Sequence, residues 1–350
     1  FEGTFLFLFL LLVNIFHRSC FTIVSVPYSS LTARITDDSD ERTKLTTARM
    51  LAASFGTFSI SAAGFPIVLF FGSGNESTGF LFLGLISGSI AILILAITVY
   101  FVKERTFDPV NQVNANFKLI AKSVSQNYPF WIVFSSILIL GSTALMFNNN
   151  LIYFVKYSLD LHAYQGLILG TSGGFTLLAI PFWALLALRL GKRNSWLIAM
   201  VWLLIGFLAF YFYPTQSLSE LLIILAFLGF GNGATGVLFW SMLPDTIEYG
   251  EWKTGIRTES SLYGFMTFAQ KGAIGISALL LGIILTNIGF IPNETQSQET
   301  LDSLKMVMSW VPISGVILSL VMVIFYPINK SFHAKLLKDI AENKMSHEQG

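Results

Sequence analysis

A lysine lies deep within one of the most apolar stretches of the chain. Lys271 is about twelve residues into the stretch 260–287, which places it roughly 17 Å along a helix that rises about 1.5 Å per residue. In a membrane-spanning helix, a charge at that depth costs at least a few kcal/mol unless it faces a water-filled cavity or a counter-ion. The position of Lys271 therefore predicts a functional site, and a purely structural ion pair is the alternative.

Two further polar features lie inside apolar stretches. Arg18 is about fifteen residues into the stretch 4–32, and a structural and a functional role are equally open for it. An asparagine triplet centred on Asn149 lies near the middle of the stretch 130–155. Amide groups can bind a hydroxylated solute, but they also join membrane helices to each other. We expect Asn149 to bind solute.

A dense group of charges follows the stretch 221–243. Its acidic members are spaced three residues apart, so they share one side of a helix that continues beyond the apolar stretch. A basic and acidic run at 34–49 could face them. We expect ion pairs between these segments that close the cytoplasmic side of the molecule, while a solvated loop is the alternative. The candidate gate residues are Asp245, Glu248, Glu251, Arg257 and Arg42.

The composition indicates an integral membrane protein. Hydrophobic residues make up 54% of the 350 residues and charged residues only 12%, whereas soluble domains have about 25% charged residues. The net charge of +1 suggests no nucleic-acid partner, and a single cysteine excludes an internal disulfide. The chain contains no zinc-protease motif, no paired intramembrane carboxylates and no nucleophile elbow. We therefore expect neither enzymatic activity nor a cofactor.

Nine stretches are long enough to span a bilayer as helices, since a span needs about 20 apolar residues. Of the 21 Lys and Arg residues, 17 fall in one of the two alternating sets of connections. Because such residues are retained on the cytoplasmic side, we expect a multi-pass protein of the bacterial inner membrane with a cytoplasmic C-terminus. The predicted spans are 4–32, 49–71, 79–102, 130–155, 166–190, 194–213, 221–243, 260–287 and 303–327.

The spans divide into three before a central loop and six after it. We predict a partial N-terminal bundle of three helices at 1–102, and a cytoplasmic loop at 103–129 that contains an interfacial helix. A six-helix bundle at 130–330 and a cytoplasmic tail at 331–350 follow. Transporters with two six-helix halves are the template, so we expect three helices to precede Phe1; a signal peptide at the N-terminus is the alternative.

Two segments resemble a known family. The first is VPYSSL at 26–31 with DDSDERTKL at 37–45, and the second is LFWSMLPDTIEYGEWK at 238–253. They are similar to signatures of the glycoside-pentoside-hexuronide:cation symporters, the melibiose permease-like family of the major facilitator superfamily. The resemblance implies an all-α major facilitator fold, here with nine of twelve transmembrane helices. It also implies symport of a sugar with Na⁺, Li⁺ or H⁺ by alternating access.

The resemblance also assigns candidate solute-binding residues. Arg49, Trp240, Thr267 and Lys271 match positions that line the solute or ion path in the family. At the position of a sugar-binding carboxylate this chain has Ser25, which we also expect to bind solute, but the sugar preference does not transfer. The other two departures are Ser29, in place of an aromatic residue, and Met266, in place of a glutamine.

None of the 20 Asp and Glu residues lies in the interior of a predicted span. A coupling cation generally needs an intramembrane carboxylate, so we expect no cation site in this chain and place that site in helices before Phe1. The expected partners are a sugar or glycoside and the lipid bilayer, and we expect a monomer. The alternatives are a lipid or lysolipid carrier of the same fold and a non-transporting remnant of a truncated gene.

Overall fold

The computed structural model describes residues 3–36, 38–73, 75–103, 117–161, 164–213, 217–291 and 294–348. All regular structure in these ranges is helical. The helices are α1 (Gly3–Ile35), α2 (Ser39–Gly72), α3 (Glu76–Phe101), α4 (Phe117–Gln126), α5 (Tyr128–Tyr157), α6 (Gln165–Leu190), α7 (Lys192–Phe212), α8 (Leu218–Thr254), α9 (Glu259–Asn287), α10 (Gln298–Ile324) and α11 (Lys330–Glu348).

Within the described ranges, eight helices are long and apolar enough to cross a membrane: α1, α3 and α5 to α10. They coincide with eight of the nine predicted spans. The remaining span, 49–71, lies in α2, a continuous helix of 34 residues in which several side chains fall outside the described part. The prediction of an all-α integral membrane fold is confirmed.

Helices α5 to α10 form one bundle around a shared apolar core. Helix α8 lies centrally and packs closely against α6. A Cβ at Gly233 would come within 2.8 Å of the Thr176 carbonyl oxygen, and one at Gly229 would overlap the backbone of Ser172. Glycines at these two positions therefore allow the close approach of α8 to α6.

Helix α8 extends well beyond the bilayer. Its 37 residues begin with a capping box between Ser217 and Glu220 and end at Gly255, whose φ is 70°. At about 1.5 Å per residue the helix is roughly 55 Å long, against a hydrocarbon core of about 30 Å. The acidic residues near its C-terminus are consequently carried out of the membrane on a rigid helix.

The two segments that the sequence predicts to be cytoplasmic pack against this extension of α8. In the central loop, Ser123 of α4 lies 2.9 Å from the Thr254 hydroxyl, and the Asn127 amide donates to the Thr246 carbonyl at 2.7 Å. The predicted interfacial helix thus exists but also contacts protein, and residues 104–116 of the loop lie outside the described residues. The segment predicted as a plain tail forms α11, in which His333 and Leu336 are buried.

The N-terminal helices contact the bundle on one side. Helix α1 packs on α9, and α2 packs on both α6 and α8. Met50 of α2 reaches the backbone of Gly236 on α8, since its sulfur lies 3.6 Å from where a Cβ would be. These contacts set the relative position of the two groups of helices and bring the polar residues of α2 close to those of α8.

Candidate solute cavity and cytoplasmic gate

A cavity of about 420 Å³ lies between α5, α7, α8, α9 and α10. Its walls are mostly apolar, with a few polar groups that converge on the space, as is usual for small-molecule sites. Two predicted solute residues, Trp240 and Lys271, line it together. The polar groups are supplied by Thr143, Asn148, Asn232, Thr235, Gln270 and Lys271.

Helical periodicity explains how α8 presents its lining residues. Asn232, Thr235, Gly236, Phe239 and Trp240 recur at intervals of three and four residues, so they form one stripe on the helix. Helix α9 contributes a similar stripe that runs from Met266 through Lys271 to Ile274. Neither stripe was identified in the sequence, because its polar members are interleaved with apolar residues on the other faces.

Lys271 has no hydrogen-bonding or ion-pair partner among the described residues. Its ammonium nitrogen lies 4.7 Å from the ring centre of Phe21 on α1, a cation–π contact worth about 0.5–2 kcal/mol. This contact is weaker than an ion pair and leaves the three N–H donors of the ammonium group available. Lys271 can therefore donate to a polar solute in the cavity.

Arg49 joins α2 to the cavity wall. Its guanidinium carbon lies 4.9 Å from the ring centre of Trp240, and Nη1 lies 3.4 Å from the Thr32 hydroxyl. A second neighbour of Trp240 is Tyr263, whose ring is nearly parallel, with the ring centres 6.2 Å apart. Trp240 is thus held between helices from both parts of the chain, with its plane fixed by an aromatic and a cationic neighbour.

Three other predicted solute residues do not line this cavity. Thr267 is buried, and its hydroxyl donates to the Tyr263 carbonyl at 2.9 Å. Asn149 is exposed, whereas its neighbour Asn148 reaches the cavity. Ser25 is half-buried on α1, and its hydroxyl has no partner among the described residues.

Two ion pairs, one buried and one partly buried, join the N-terminal helices to α8 and α9. Arg42 of α2 bonds Glu248 of α8, and both side chains are almost fully buried. Arg34 of α1 bonds Glu259 of α9 at 2.7 Å. Arg257 contributes a local pair on the same surface, since it lies 3.1 Å from Glu251 and 2.5 Å from Glu259.

These pairs stabilise the charged forms of their members. Burial lowers the pKa of Arg42, but the charge and the hydrogen bond of Glu248 outweigh it and raise the pKa above its ordinary value. Burial likewise lowers the pKa of Arg257, but the charges of Glu259 and Glu251 outweigh it and raise the pKa above its ordinary value. Both arginines are therefore cationic at any physiological pH.

Two members of this charged cluster were missed in the sequence. Lys192, at the start of α7, donates to both carboxylate oxygens of Asp245 at 2.8 Å and to the Ser241 carbonyl at 2.8 Å. His333 of α11 lies 2.6 Å from Glu248 Oε2. Both are far from α8 in sequence, so only the tertiary fold brings them into the cluster.

Asp245, Glu248 and His333 place one ligand atom each within 4.8 Å of the others, which is close enough for a metal ion. However, Lys192 and Arg42 already neutralise the two carboxylates. A divalent cation would add uncompensated charge in a buried place, which is costly. The arrangement is that of an ion-pair network.

The cluster lies directly beyond the cavity along α8. Asp245, Glu248 and Glu251 follow Trp240 by five, eight and eleven residues, which corresponds to roughly 8, 12 and 17 Å of helix. The ion pairs with α1 and α2 therefore lie on the side of the cavity that the sequence predicts to be cytoplasmic. We call Arg34, Arg42, Glu248 and Glu259 the cytoplasmic gate.

Comparison with known proteins identifies relatives of the whole chain. The isoprimeverose transporter of Lactiplantibacillus pentosus is 30% identical over 332 residues, which are 94% of this chain and 68% of that protein. The glucuronide carrier protein homolog of Escherichia coli K12 is 27% identical over 94% of this chain and 72% of its own. A putative sulfoquinovose importer of Salmonella typhimurium is 30% identical, over 94% and 70% respectively.

The sequence profile of a transporter family, described as MFS/sugar transport protein, matches residues 1–330. This match confirms the predicted resemblance to the glycoside-pentoside-hexuronide:cation symporters and the prediction of a transporter rather than an enzyme. The chain is therefore a multi-pass membrane protein that belongs to the MFS/sugar transport protein family.

Proposed function

We propose that this protein is a sugar:cation symporter that works by alternating access. The observation that carries the proposal is the cavity in which Trp240 and Lys271 meet, with the cytoplasmic gate directly beyond it on the same helix. A binding space next to a breakable barrier is what alternating access requires. The names of the relatives support a hydroxylated, sugar-like solute.

The lining residues suggest how a sugar binds. The Trp240 ring stacks on the apolar face of a pyranose with the part of its surface that Arg49 and Tyr263 leave uncovered, and these two neighbours fix its plane. The sugar hydroxyls form hydrogen bonds with the side-chain amides of Asn148 and Asn232 and with the other hydroxyl and amide groups that line the cavity. A cavity of about 420 Å³ lies within the usual range for small-molecule sites, about 300–1,000 Å³.

The cytoplasmic gate accounts for the switch between states. While Arg42–Glu248 and Arg34–Glu259 are intact, the N-terminal helices are held against α8 and α9. Inward opening separates these helices and breaks both pairs, after which water solvates the released charges. Solute and cation then leave on the cytoplasmic side.

The coupling ion is Na⁺, Li⁺ or H⁺. The chain supplies no acidic residue to the interior of a predicted span, and a coupling cation generally needs an intramembrane carboxylate, so we assign the cation site to none of these spans. Thr267, Asn149 and Ser25 stay candidates for the solute path in a state other than the one described. The C-terminus is cytoplasmic, the membrane is the bacterial inner membrane and the protein is a monomer.

Solute counterflow tests the proposal whichever cation is coupled, because exchange of solute requires no ion gradient. Proteoliposomes of the complete protein are loaded with a candidate sugar, and entry of the same labelled sugar is followed. Entry that exceeds empty liposomes and is abolished by Lys271→Ala supports the proposal. Movement of a labelled lysolipid, without entry of any sugar, supports a lipid carrier instead.

A further inference from the structure

We propose that His333 is a pH-sensitive latch that docks the C-terminal helix α11 onto the cytoplasmic gate. The first evidence is its position. The imidazole is buried, with Nε2 2.6 Å from Glu248 Oε2 and 3.7 Å from Asp245 Oδ1. The other carboxylate oxygen of Glu248 accepts a hydrogen bond from Arg42 of α2. A single carboxylate therefore connects α11 with the ion pair that holds α2 against α8.

The rest of α11 is bound more loosely. Leu336 is buried, Phe332 packs edge-on against Trp252 at 6.1 Å, and the Trp252 indole lies 3.3 Å from Asp339. The ion pair between Lys338 and Glu342, within α11 itself, is exposed and contributes little. Lys330, at the start of α11, donates to the Leu188 carbonyl at 3.1 Å and lies 3.7 Å from Asp40, but its side chain is exposed. The contact of His333 with Glu248 is buried, so solvent screens it less.

The charged groups around His333 favour its protonated form. Its neighbours are Asp245 and Glu248 from α8, Lys192 from α7 and Arg42 of α2 beyond Glu248. A cavity of about 210 Å³ beside it is also lined by Asp38 and Asp40 near the start of α2, and by Lys330 of α11. Carboxylates make the two closest contacts of the ring, so attraction exceeds repulsion at this point.

The direction of the pH effect follows from this arrangement. Burial lowers the pKa of His333, but the charge of Asp245 and the hydrogen bond and charge of Glu248 outweigh it, and the pKa is raised. A group whose pKa is raised by docking stabilises the docked state fully below its free pKa of about 6.5. This stabilisation is lost as the pH rises through the docked pKa. Acid pH therefore holds α11 on the gate, and alkaline pH releases it.

Thiol labelling measures docking directly. In a Cys20→Ser background, Leu336→Cys places a thiol on the buried side of α11, and Lys338→Cys provides an exposed reference on the same helix. The ratio of the two labelling rates cancels the pH dependence of the reagent. We expect this ratio to increase from pH 5.5 to 8.5, about tenfold for each unit by which docking raises the pKa.

Three further variants decide the assignment. His333→Gln is expected to make the ratio independent of pH, and His333→Lys to keep it low throughout. His347→Gln, at the other histidine of α11, is expected to retain the wild-type profile. A wild-type ratio that does not change with pH, or a profile unaltered by His333→Gln, would overturn the latch. Thiol labelling requires no transport, so its result tests the latch independently of the proposed function.

Discussion

Replacing Arg42 by methionine is expected to open the cytoplasmic gate. Arg42 and Glu248 are 0% and 2% exposed, and removal of one partner from a buried ion pair costs about 3–5 kcal/mol. His333 still contacts Glu248 at 2.6 Å in the variant, so we take the lower limit of about 3 kcal/mol. If the pair exists only while the gate is closed, the equilibrium shifts about a hundredfold toward the open state.

Accessibility of the cavity from the cytoplasmic side reports this shift. Asn232 lines the cavity, and Asn232→Cys in the Cys20→Ser background offers a thiol to a membrane-impermeant reagent in inside-out vesicles. We expect Arg42→Met to accelerate labelling by between tenfold and a hundredfold. The exact factor depends on how much of the wild type is already open.

A matched control and a double variant sharpen the test. Lys338→Met removes an exposed ion pair of α11, 3.6 Å long, and should leave labelling unchanged. Glu248→Gln combined with Arg42→Met should open the gate by less than the sum of the two single changes, because both remove the same pair. Only the loss of the His333 contact is specific to Glu248→Gln. Equal labelling in Arg42→Met and Lys338→Met, or fully additive effects of the two gate substitutions, would refute the assigned role of this pair.

Three further predictions concern the cavity. Lys271→Ala should reduce coupled uptake to background while leaving membrane insertion intact, as measured by uptake and by the amount of protein in the membrane. Trp240→Ala should raise the KM for sugar about tenfold, and Trp240→Phe should largely restore it, since stacking contributes about 1.4 kcal/mol. Asn148→Ala should weaken equilibrium sugar binding about fivefold through loss of a hydrogen bond, whereas Asn149→Ala should not.

The sequence was sufficient for the features that depend on apolar length and on strong local signals. The spans followed from hydropathy. Lys271 was singled out because an intramembrane charge is costly unless it faces a cavity or a counter-ion, and it does line the cavity. The acidic spacing on α8 predicted the face that carries the charged cluster. These inferences do not depend on which helices are neighbours.

Side-chain direction was harder to predict. Asn148 and Asn149 differ by about 100° around a helix, so a triplet does not indicate which amide faces the cavity. Thr267 follows the lining residue Met266 by one position and points to the Tyr263 carbonyl instead. A count of the helical stripe on α8 from Asn232 to Trp240 would have indicated the cavity face.

The role of the C-terminal segment was missed because its charges suggested a solvated tail. Phe332, Leu336 and Ile340 are spaced four apart and all pack on the core, a pattern that indicates an amphipathic helix. Lys192 and His333 meet α8 across 53 and 85 residues of chain. Such pairings depend on tertiary structure, and no local pattern identifies them.

Sugar-driven cation flux is the most direct test of symport. Proteoliposomes of the complete protein receive an external sugar, in turn isoprimeverose, a glucuronide and sulfoquinovose, while Na⁺, Li⁺ and H⁺ entry is recorded. We predict that at least one sugar drives entry of one of these cations, and that Lys271→Ala abolishes it. Sugar entry that moves none of the three cations would contradict the account.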